Sequence, residues 1–259
     1  SPLDPAVAAR LCDRRFGVGA DGILAILAPR HPEALARMAI RNADGSEPEM
    51  CGNGIRCVAK WLFDRGLRRA ASAHPTGCKV IPIETGAGVL DCGIETGADG
   101  RAETVAVEMG KPLVLAERRP LEVAGRSIVV SEVSMGNPHA VAFVDDASVD
   151  LRALAETIGP AVERHARYPA RTNAEFARVA AGAIELVVWE RGCGITLACG
   201  TGASATAAAA VATGRLPAGR EIEVRLPGGS LFIRVAEGLA GVRMRGPAVE
   251  VYQGELPAI

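Results

Sequence analysis

A four-residue turn of the form Cys-Gly-x-Gly occurs twice in this chain of 259 residues, at 51–54 and at 199–202. Asn42 stands nine residues before Cys51, and Glu190 stands nine residues before Cys199. A motif that returns with a matched offset indicates an internal duplication. The sequence therefore predicts two related domains that face each other across a pseudo-twofold axis.

Strand-like stretches outnumber helix-like ones and do not alternate regularly with them, which predicts an α+β fold. Alternating apolar and β-branched residues indicate strands at 79–83, 104–109, 127–133, 140–144, 183–189, 221–226 and 231–236. Helices are predicted at 5–14, 54–65, 149–164 and 202–213. The segment Pro227-Gly228-Gly229 indicates a hairpin between the last two strands. The helix after Cys51 carries one apolar stripe, whereas the alanine-rich helix after Cys199 is apolar all round, which predicts burial.

Charge and composition exclude several classes of protein. The formal net charge is −1 and the basic residues are not clustered, so a nucleic-acid partner is not expected. No apolar run has the roughly 18 residues needed to span a bilayer, and no signal peptide is apparent. The seven cysteines lack C-x-x-C pairs, so no metal site is expected. The sequence predicts a cytoplasmic protein that contacts neither membrane nor nucleic acid.

Both Cys-Gly-x-Gly turns combine a thiol with the start of a predicted helix. The unpaired N–H groups and the dipole of a helix N-terminus favour a thiolate there. Glycines let a ligand approach those same N–H groups, which then hold a carboxylate. If Cys51 and Cys199 approach one carbon from opposite sides, one removes a proton, the other delivers one, and the centre is inverted. This predicts a cofactor-independent amino-acid racemase or epimerase. The remaining cysteines lack such surroundings and are predicted to be structural: Cys12, Cys57, Cys78, Cys92 and Cys193.

Six motifs resemble those of the diaminopimelate epimerase family. They are RNADGSE at 41–47, MCGNGIRC at 50–57, SMGNPH at 134–139, RTN at 171–173, ERG at 190–192 and ACGTG at 198–202. The likeness extends from about Arg15 to Tyr252. The C-G-T-G turn is shared with proline racemase-like relatives, and its combination with C-G-N-G is specific to the epimerase branch.

The resemblance implies a fold and an activity. Each domain is expected to be a strongly curved, mostly antiparallel sheet wrapped around a central helix, with one domain at 1–110 rejoined by 247–259 and the other at 111–246. The expected reaction interconverts LL- and meso-diaminopimelate, in lysine and peptidoglycan precursor synthesis, without pyridoxal phosphate or any other cofactor. The family's first strand, with the motif G-x-G-N-D-F, is absent from this sequence. An exposed sheet edge and one lost substrate contact are therefore expected.

The resemblance also assigns roles to individual residues. Cys51 and Cys199 match the acid–base pair, and His139 and Glu190 match positions that tune cysteine protonation. Tyr252 matches a residue at the interface of a homodimer. The positions that match substrate-binding residues are Asn42, Gly52, Asn53, Asn137, Asn173, Glu190, Arg191, Gly200 and Thr201.

Other functions remain open on the sequence alone. A racemase of the same scaffold acting on proline, hydroxyproline or histidine would use the same mechanism. Arg191 with Asn42 and Asn173 favours a substrate with a second charged end. A phenazine-type isomerase would lack the cysteine pair. A non-catalytic binder that kept the fold is the alternative from another class, and exchange of the substrate α-hydrogen in heavy water would separate it from an enzyme.

Overall fold

Strands predominate in the computed structural model, which describes residues 4–47, 51–67 and 79–256. The predicted α+β class is confirmed. The chain divides into two units, Ser1–Val107 with Pro247–Ile259, and Glu108–Gly246. The predicted boundary, after residue 110, lies three residues further along the chain than the observed one. No helix in the described part of the chain is long and apolar enough to cross a membrane.

The described residues of unit 1 form five paired strands and two helices. Its strands follow one another in sequence order, and all pairs are antiparallel except β2 with β3. The strands are β1 (Gly22–Leu27), β2 (Ala36–Asn42), β3 (Lys79–Thr85), β4 (Gly88–Thr96) and β5 (Ala102–Glu108). The helices are α1 (Pro5–Cys12) against β1 and β2, and α2 (Gly52–Asp64) against β1, β3 and β4.

The apolar stripe of α2 packs as the sequence predicts. Its five members are buried: Ile55, Val58, Ala59, Leu62 and Phe63. The helix ends before Gly66, whose φ of 72° lies in the left-handed region that favours glycine after a helix. Its start is two residues earlier than predicted, at Gly52 rather than Gly54, because Cys51 itself caps the helix.

Unit 2 contains a larger sheet with the order β6-β7-β8-β9-β10-β12-β13-β14, and β11 pairs beside β10. Two neighbouring pairs are parallel, β8 with β9 and β10 with β12. The strands are β6 (Leu113–Val123), β7 (Arg126–Ser134), β8 (Pro138–Phe143), β9 (Asn173–Ala180), β10 (Ala183–Glu190), β11 (Gly194–Ile195), β12 (Glu221–Leu226), β13 (Gly229–Val235) and β14 (Val242–Pro247). A short 3₁₀-helix, Glu237–Leu239, precedes β14. The predicted hairpin is confirmed, since Leu226 pairs with Gly229 across a two-residue turn.

Two helices of unit 2 pack on this sheet. Helix α3 (Leu151–Glu163) lies against β6, β9, β10 and β11. It starts two residues later than predicted because Asp150 is its N-cap and accepts the N–H groups of Arg152 and Ala153. Helix α4 (Gly200–Ala212) contacts β6 to β10, β12 and β13, so the sheet surrounds it.

The predicted burial of α4 is confirmed, since every residue from Gly200 to Ala210 is buried. Two of its polar side chains bond within the helix: the hydroxyl of Ser204 donates to the carbonyl of Gly200 at 2.9 Å, and that of Thr206 donates to the carbonyl of Gly202 at 2.7 Å. A buried hydroxyl is costly only when it lacks a partner. Small side chains with satisfied hydroxyls therefore allow strands to pack around the whole helix.

Candidate active site

Cys51 forms the N-cap of α2 in unit 1. Its backbone is extended (φ −134°, ψ 103°), and its Sγ atom accepts the N–H of Gly54 at 3.2 Å. The thiol is partly exposed. A Cβ atom at Gly54 would lie 3.3 Å from this sulfur and 2.8 Å from Leu24, so glycine gives the sulfur its room. The first turn of α2 thus presents a sulfur atom bound to a helix N-terminus.

Arg56 holds this turn in place through hydrogen bonds to backbone carbonyls. The side chain is 6% exposed, and its guanidinium donates to the carbonyl of Gly52 at 3.2 Å and to that of Pro247 at 3.3 Å. Burial lowers the pKa of Arg56. The arginine ties the cysteine turn to the returning C-terminal segment of unit 1. Arg56 lies within the motif at 50–57, and the motif alone does not indicate this role.

Cys199 repeats the same local arrangement in unit 2. Its backbone angles are φ −128° and ψ 111°, and its Sγ accepts the N–H of Gly202 at 3.4 Å. The hydroxyl of Thr201 lies 3.5 Å from the same sulfur. Unlike Cys51, Cys199 is buried, with 6% of its surface exposed. The two turns are alike in their backbone and differ in their access to solvent.

The electrostatics at Cys199 differ from the expectation that a helix N-terminus favours the thiolate. Burial raises the pKa of the Cys199 thiol well above its usual value, and the nearby charges of Glu190 and Glu175 raise it further. Hydrogen bonds from Thr201 and from the N–H of Gly202 act in the opposite direction and are outweighed. Desolvation and two carboxylates therefore favour the thiol form of Cys199 over the thiolate.

His139 is fully enclosed between two polar side chains. Its Nδ1 atom lies 2.6 Å from Oε1 of Glu175, and neither side chain has any exposed surface. Its Nε2 atom donates to Oδ1 of Asn137 at 2.9 Å. The amide nitrogen of Asn137 then donates to the hydroxyl of Thr201 at 3.3 Å. The structure thus joins three predicted site residues of unit 2, Asn137, His139 and Thr201, to the cysteine turn.

Strand pairing explains why these side chains meet. β8 and β9 are parallel, with His139 opposite Asn173 and Val141 opposite Glu175. Paired residues on neighbouring strands project from the same side of a sheet, and so do residues two apart along one strand. That side is the one covered by α4, because Val141 packs with Ala205, Ala208 and Ala209 in one apolar cluster.

The remaining predicted residues of unit 2 border the loop between β10 and β11. Oε1 of Glu190 accepts the hydroxyl of Thr196 at 2.5 Å. The buried amide of Asn173 accepts the N–H of Arg191 at 2.9 Å and donates to the carbonyl of Pro138 at 2.9 Å. Arg191 is partly buried. Its guanidinium donates to the carbonyl of Ala170 at 3.3 Å.

The predicted residues of unit 1 lie at three places. Gly52 and Asn53 belong to the first turn of α2 beside Cys51. Asn42 ends β2, and both its backbone N–H and its amide bond to Ser46. Tyr252 lies on the C-terminal segment with 66% of its surface exposed.

The other cysteines have diverse surroundings. Cys12 and Cys92 are buried, whereas Cys57 and Cys193 are exposed, and Cys78 lies outside the described residues. Among the described residues, no group of three His, Cys, Asp or Glu side chains is arranged to hold a metal ion.

Sequence reasoning missed Glu175. This residue occupies an alternating position in a strand, and nothing in the motif RTN at 171–173 draws attention to it. The only available signal was its position two residues after Asn173. A carboxylate two residues beyond a candidate site residue on a strand projects from the same sheet face.

Comparison with known proteins extends these observations to the whole chain. A model of the family diaminopimelate epimerase matches residues 1–115 and 131–251. The diaminopimelate epimerase of Synechocystis sp. is 46% identical to this chain over an alignment of 269 positions, which covers 98% of this chain and 89% of that protein. The diaminopimelate epimerase of Heliobacterium modesticaldum is 43% identical over an alignment of 264 positions, which covers 97% of this chain and 89% of that protein.

Solved structures show the same fold at lower identity. A hydroxyproline epimerase from Agrobacterium vitis matches with a TM-score of 0.72 and 20% identity over 92% of this chain and 76% of that one. A probable proline racemase from Agrobacterium radiobacter matches with a TM-score of 0.68 and 21% identity over 92% and 77%. These similarities concern the fold alone. Because the family model covers both halves, and relatives at 43% and 46% identity align along nearly the entire length, this chain belongs to the diaminopimelate epimerase family.

Proposed function

We propose that this protein is a diaminopimelate epimerase that interconverts the LL and meso forms of its substrate by a two-base mechanism, without pyridoxal phosphate. Cys51 and Cys199 are the acid–base pair. The observation that carries the proposal is that both predicted cysteines form the N-cap of a 13-residue helix, with Sγ bound to the N–H of the third following residue. Family membership supplies the substrate.

The chemistry follows from the two sulfur environments. One cysteine, as thiolate, removes the α-proton of the substrate, and the other, as thiol, delivers a proton to the opposite side of the carbon. The elevated pKa of Cys199, caused first by burial, suits the thiol that delivers the proton. The N–H groups of the two helix starts, at Gly52–Asn53 and Gly200–Thr201, bind the carboxylate of the reacting centre.

Recognition of the far end of the substrate is assigned to the polar residues of the sequence analysis: Asn42, Asn137, Asn173, Glu190 and Arg191. Asn173 has a positioning part in this, because it holds the backbone N–H of Arg191 at the start of the β10–β11 loop. A planar guanidinium fits a carboxylate with two parallel hydrogen bonds. A second amino-acid end distinguishes diaminopimelate from proline. A homodimer with Tyr252 at its interface and a cytoplasmic location stay predictions.

The test measures the incorporation of deuterium at the α-position of the substrate when the reaction is run in heavy water. The unmutated protein is expected to label diaminopimelate and to leave L-proline unlabelled. Cys51→Ala and Cys199→Ala are each expected to lower turnover by at least ~10²-fold, the usual contribution of an acid–base group. Cys57→Ala is the matched control, since Cys57 is an exposed thiol on the same helix as Cys51 and is expected to leave turnover unchanged.

Two outcomes would refute the proposal. Substantial turnover in either Cys51→Ala or Cys199→Ala would exclude the two-base assignment. Labelling of L-proline without labelling of diaminopimelate would favour the alternative substrate class. Circular dichroism of each variant establishes that a loss of turnover is not a loss of fold.

A further inference from the structure

We propose that Glu175 is a positioning residue for Cys199: through His139 and Asn137, it directs the hydroxyl of Thr201 to donate to the sulfur. The proposal rests on the function proposed above, since it concerns how one of the two cysteines is prepared for proton transfer. It assigns a role to a carboxylate that neither the motifs nor the resemblance identified.

The first step is the hydrogen position on His139. An amide oxygen only accepts hydrogen bonds, so the contact of 2.9 Å from Nε2 to Oδ1 of Asn137 requires a hydrogen on Nε2. The contact of 2.6 Å between Nδ1 and Oε1 of Glu175 then contains one shared proton. Whether oxygen or nitrogen holds that proton, the pair is neutral overall and Nε2 stays protonated.

The second step extends this direction of hydrogen-bond donation from Asn137 to the sulfur of Cys199. With Oδ1 of Asn137 occupied by His139, its amide nitrogen donates to Oγ1 of Thr201 at 3.3 Å. The threonine oxygen accepts from that side, so its own hydrogen is free to point at Sγ of Cys199, 3.5 Å away. Successive hydrogen bonds of the same direction strengthen one another. This series of hydrogen bonds ends at the hydroxyl of Thr201, which donates to the sulfur of Cys199 and so stabilises its thiolate form.

The burial of Glu175 supports a specific role. Its carboxyl group is fully buried, and its second oxygen, Oε2, has no hydrogen-bond partner among the described residues. Burial raises the pKa of Glu175, and this is opposed by the adjacent His139. An enclosed carboxyl group with one unsatisfied oxygen is costly for stability. The cost is explained if the group serves the site rather than the fold.

Glu175 is also close to the cysteine turn itself. A Cβ atom placed on Gly202 would lie 3.0 Å from Oε1 of Glu175 and 3.3 Å from Sγ of Cys199. The charged or titratable groups that act on Cys199 come from three strands: Glu190 from β10, Glu175 from β9, and His139 from β8 through its contact with Glu175. Helix α4 adds the hydroxyl of Thr201 and the N–H of Gly202.

Removing Glu175 is expected to reverse the direction of the hydrogen bonds that run from His139 through Asn137 to Thr201. In Glu175→Leu, neutral His139 can move its hydrogen to Nδ1, the amide of Asn137 can turn over to donate to Nε2, and Thr201 then donates to Asn137 instead of the sulfur. The charge of Glu175 raises the pKa of Cys199, so its removal by itself acts toward a lower pKa. The proton shared with His139 leaves the Glu175–His139 pair neutral overall and limits this effect, so a rise in the midpoint reports the lost hydrogen bond from Thr201. In Glu175→Gln, an amide nitrogen can donate to Nδ1, and the original direction is kept.

The test measures the pH at which Cys199 becomes reactive toward iodoacetamide, in a Cys51→Ser background, with the alkylated residue identified by mass spectrometry. Glu175→Leu is expected to raise the midpoint by about one pH unit, a tenfold loss of thiolate at fixed pH, as for the loss of one hydrogen bond to a charged atom. Glu175→Gln is expected to restore the original midpoint to within about 0.3 unit, since its amide replaces the donor to Nδ1.

Glu132→Gln is the matched control. Glu132 is another buried carboxylate of unit 2, but it bonds to Arg119 and Tyr168 and takes no part in the chain to Cys199. Its replacement is expected to leave the midpoint unchanged. No rise in Glu175→Leu, an equal rise in Glu175→Gln, or an equal rise in Glu132→Gln would each overturn the proposal.

A second measurement does not depend on whether the Glu175 variants fold, because it uses the unmutated protein. The ¹⁵N shifts of the histidine rings in the unmutated protein report which nitrogen carries hydrogen, and His139 is assigned by its loss in His139→Gln. A protonated Nε2 is expected, and an unprotonated Nε2 would overturn the proposal. Both readouts are independent of substrate. If the midpoints shift as expected but diaminopimelate is not turned over, the proposed function fails while the role of Glu175 stands.

Discussion

Gly202 gives a direct test of how tightly the surroundings of Cys199 are packed. The residue lies inside α4, so its backbone does not require glycine. A methyl group there would lie 3.0 Å from Oε1 of Glu175 and 3.3 Å from Sγ of Cys199, closer than such atoms ordinarily approach. Glu175 is fully buried and bound to His139, so it has little room to move away.

The expected effect of Gly202→Ala is the balance of two terms. Alanine in a helix interior is favoured over glycine by about 1 kcal/mol. An extra methyl group in a packed interior costs about 1–3 kcal/mol. The net destabilisation is therefore about 0–2 kcal/mol, or a fall of a few degrees in Tm. The larger consequence is local, because the displaced Glu175 carboxyl weakens its bond to His139, which raises the alkylation midpoint of Cys199.

Urea unfolding and the alkylation of Cys199 measure the two effects separately. Gly241→Ala is the control, because Gly241 is in the same unit and a Cβ atom there meets nothing within 4 Å. That variant is expected to leave the free energy of unfolding within about 0.5 kcal/mol of the original, as for most surface changes. If Gly202→Ala matches Gly241→Ala in both measurements, the packing argument is refuted.

Two further predictions concern stability. Asp150→Ala removes the side-chain cap of α3 and is expected to lower the free energy of unfolding in urea by about 1 kcal/mol, so an unchanged value would contradict the capping role. Burial by itself raises the pKa of Asp64, but hydrogen bonds from Lys60 and from the N–H of Ala102 outweigh it, and the net pKa is lowered. A lowered folded-state pKa stabilises the fold above the unfolded value of about 4, and this stabilisation is lost as pH falls through the folded-state value. The difference in unfolding free energy between the original protein and Asp64→Asn is therefore expected to shrink on acidification from pH 7, and a difference that stays constant with pH would exclude this linkage.

The elements that the sequence predicted well are those whose burial follows from their own periodicity. The stripe of α2 and the uniformly apolar α4 needed no knowledge of their neighbours, and the Pro227-Gly228 turn defined its hairpin locally. Several strands were not predicted, among them β4, β6 and β14. For β6 the structure gives a reason, since it is the last strand in the order of its sheet. With one neighbour among the described strands, it tolerates polar residues and two irregularities in its pairing with β7, which obscure any alternation.

Site residues that belong to recognisable motifs could be predicted, whereas site residues that are brought into place only by tertiary packing could not. The two cysteines could be identified because glycines flank each of them. Glu175 could not, because an isolated glutamate in a strand normally indicates a solvent-exposed face. β9 lies between β8 and β10, with α4 and α3 both packed against it, so neither face of this strand is open at that point. Only the tertiary arrangement shows that the carboxyl group is enclosed.

Equivalence in sequence does not make the two cysteines chemically equivalent. Their turns have nearly the same backbone angles and the same Sγ contact to a glycine N–H, so the local helix contribution to each sulfur is alike. What differs is the helix that follows. α2 has one apolar side, and Cys51 is partly exposed, whereas the alanines of α4 let strands close around it and bury Cys199. Charges act more strongly where water is excluded, so Glu190 and Glu175 have more influence on Cys199 than the helix N-terminus has. The alanine-rich composition of α4, which allows strands to bury Cys199, therefore contributes more to the raised pKa of this thiol than the Cys-Gly-x-Gly turn contributes to lowering it.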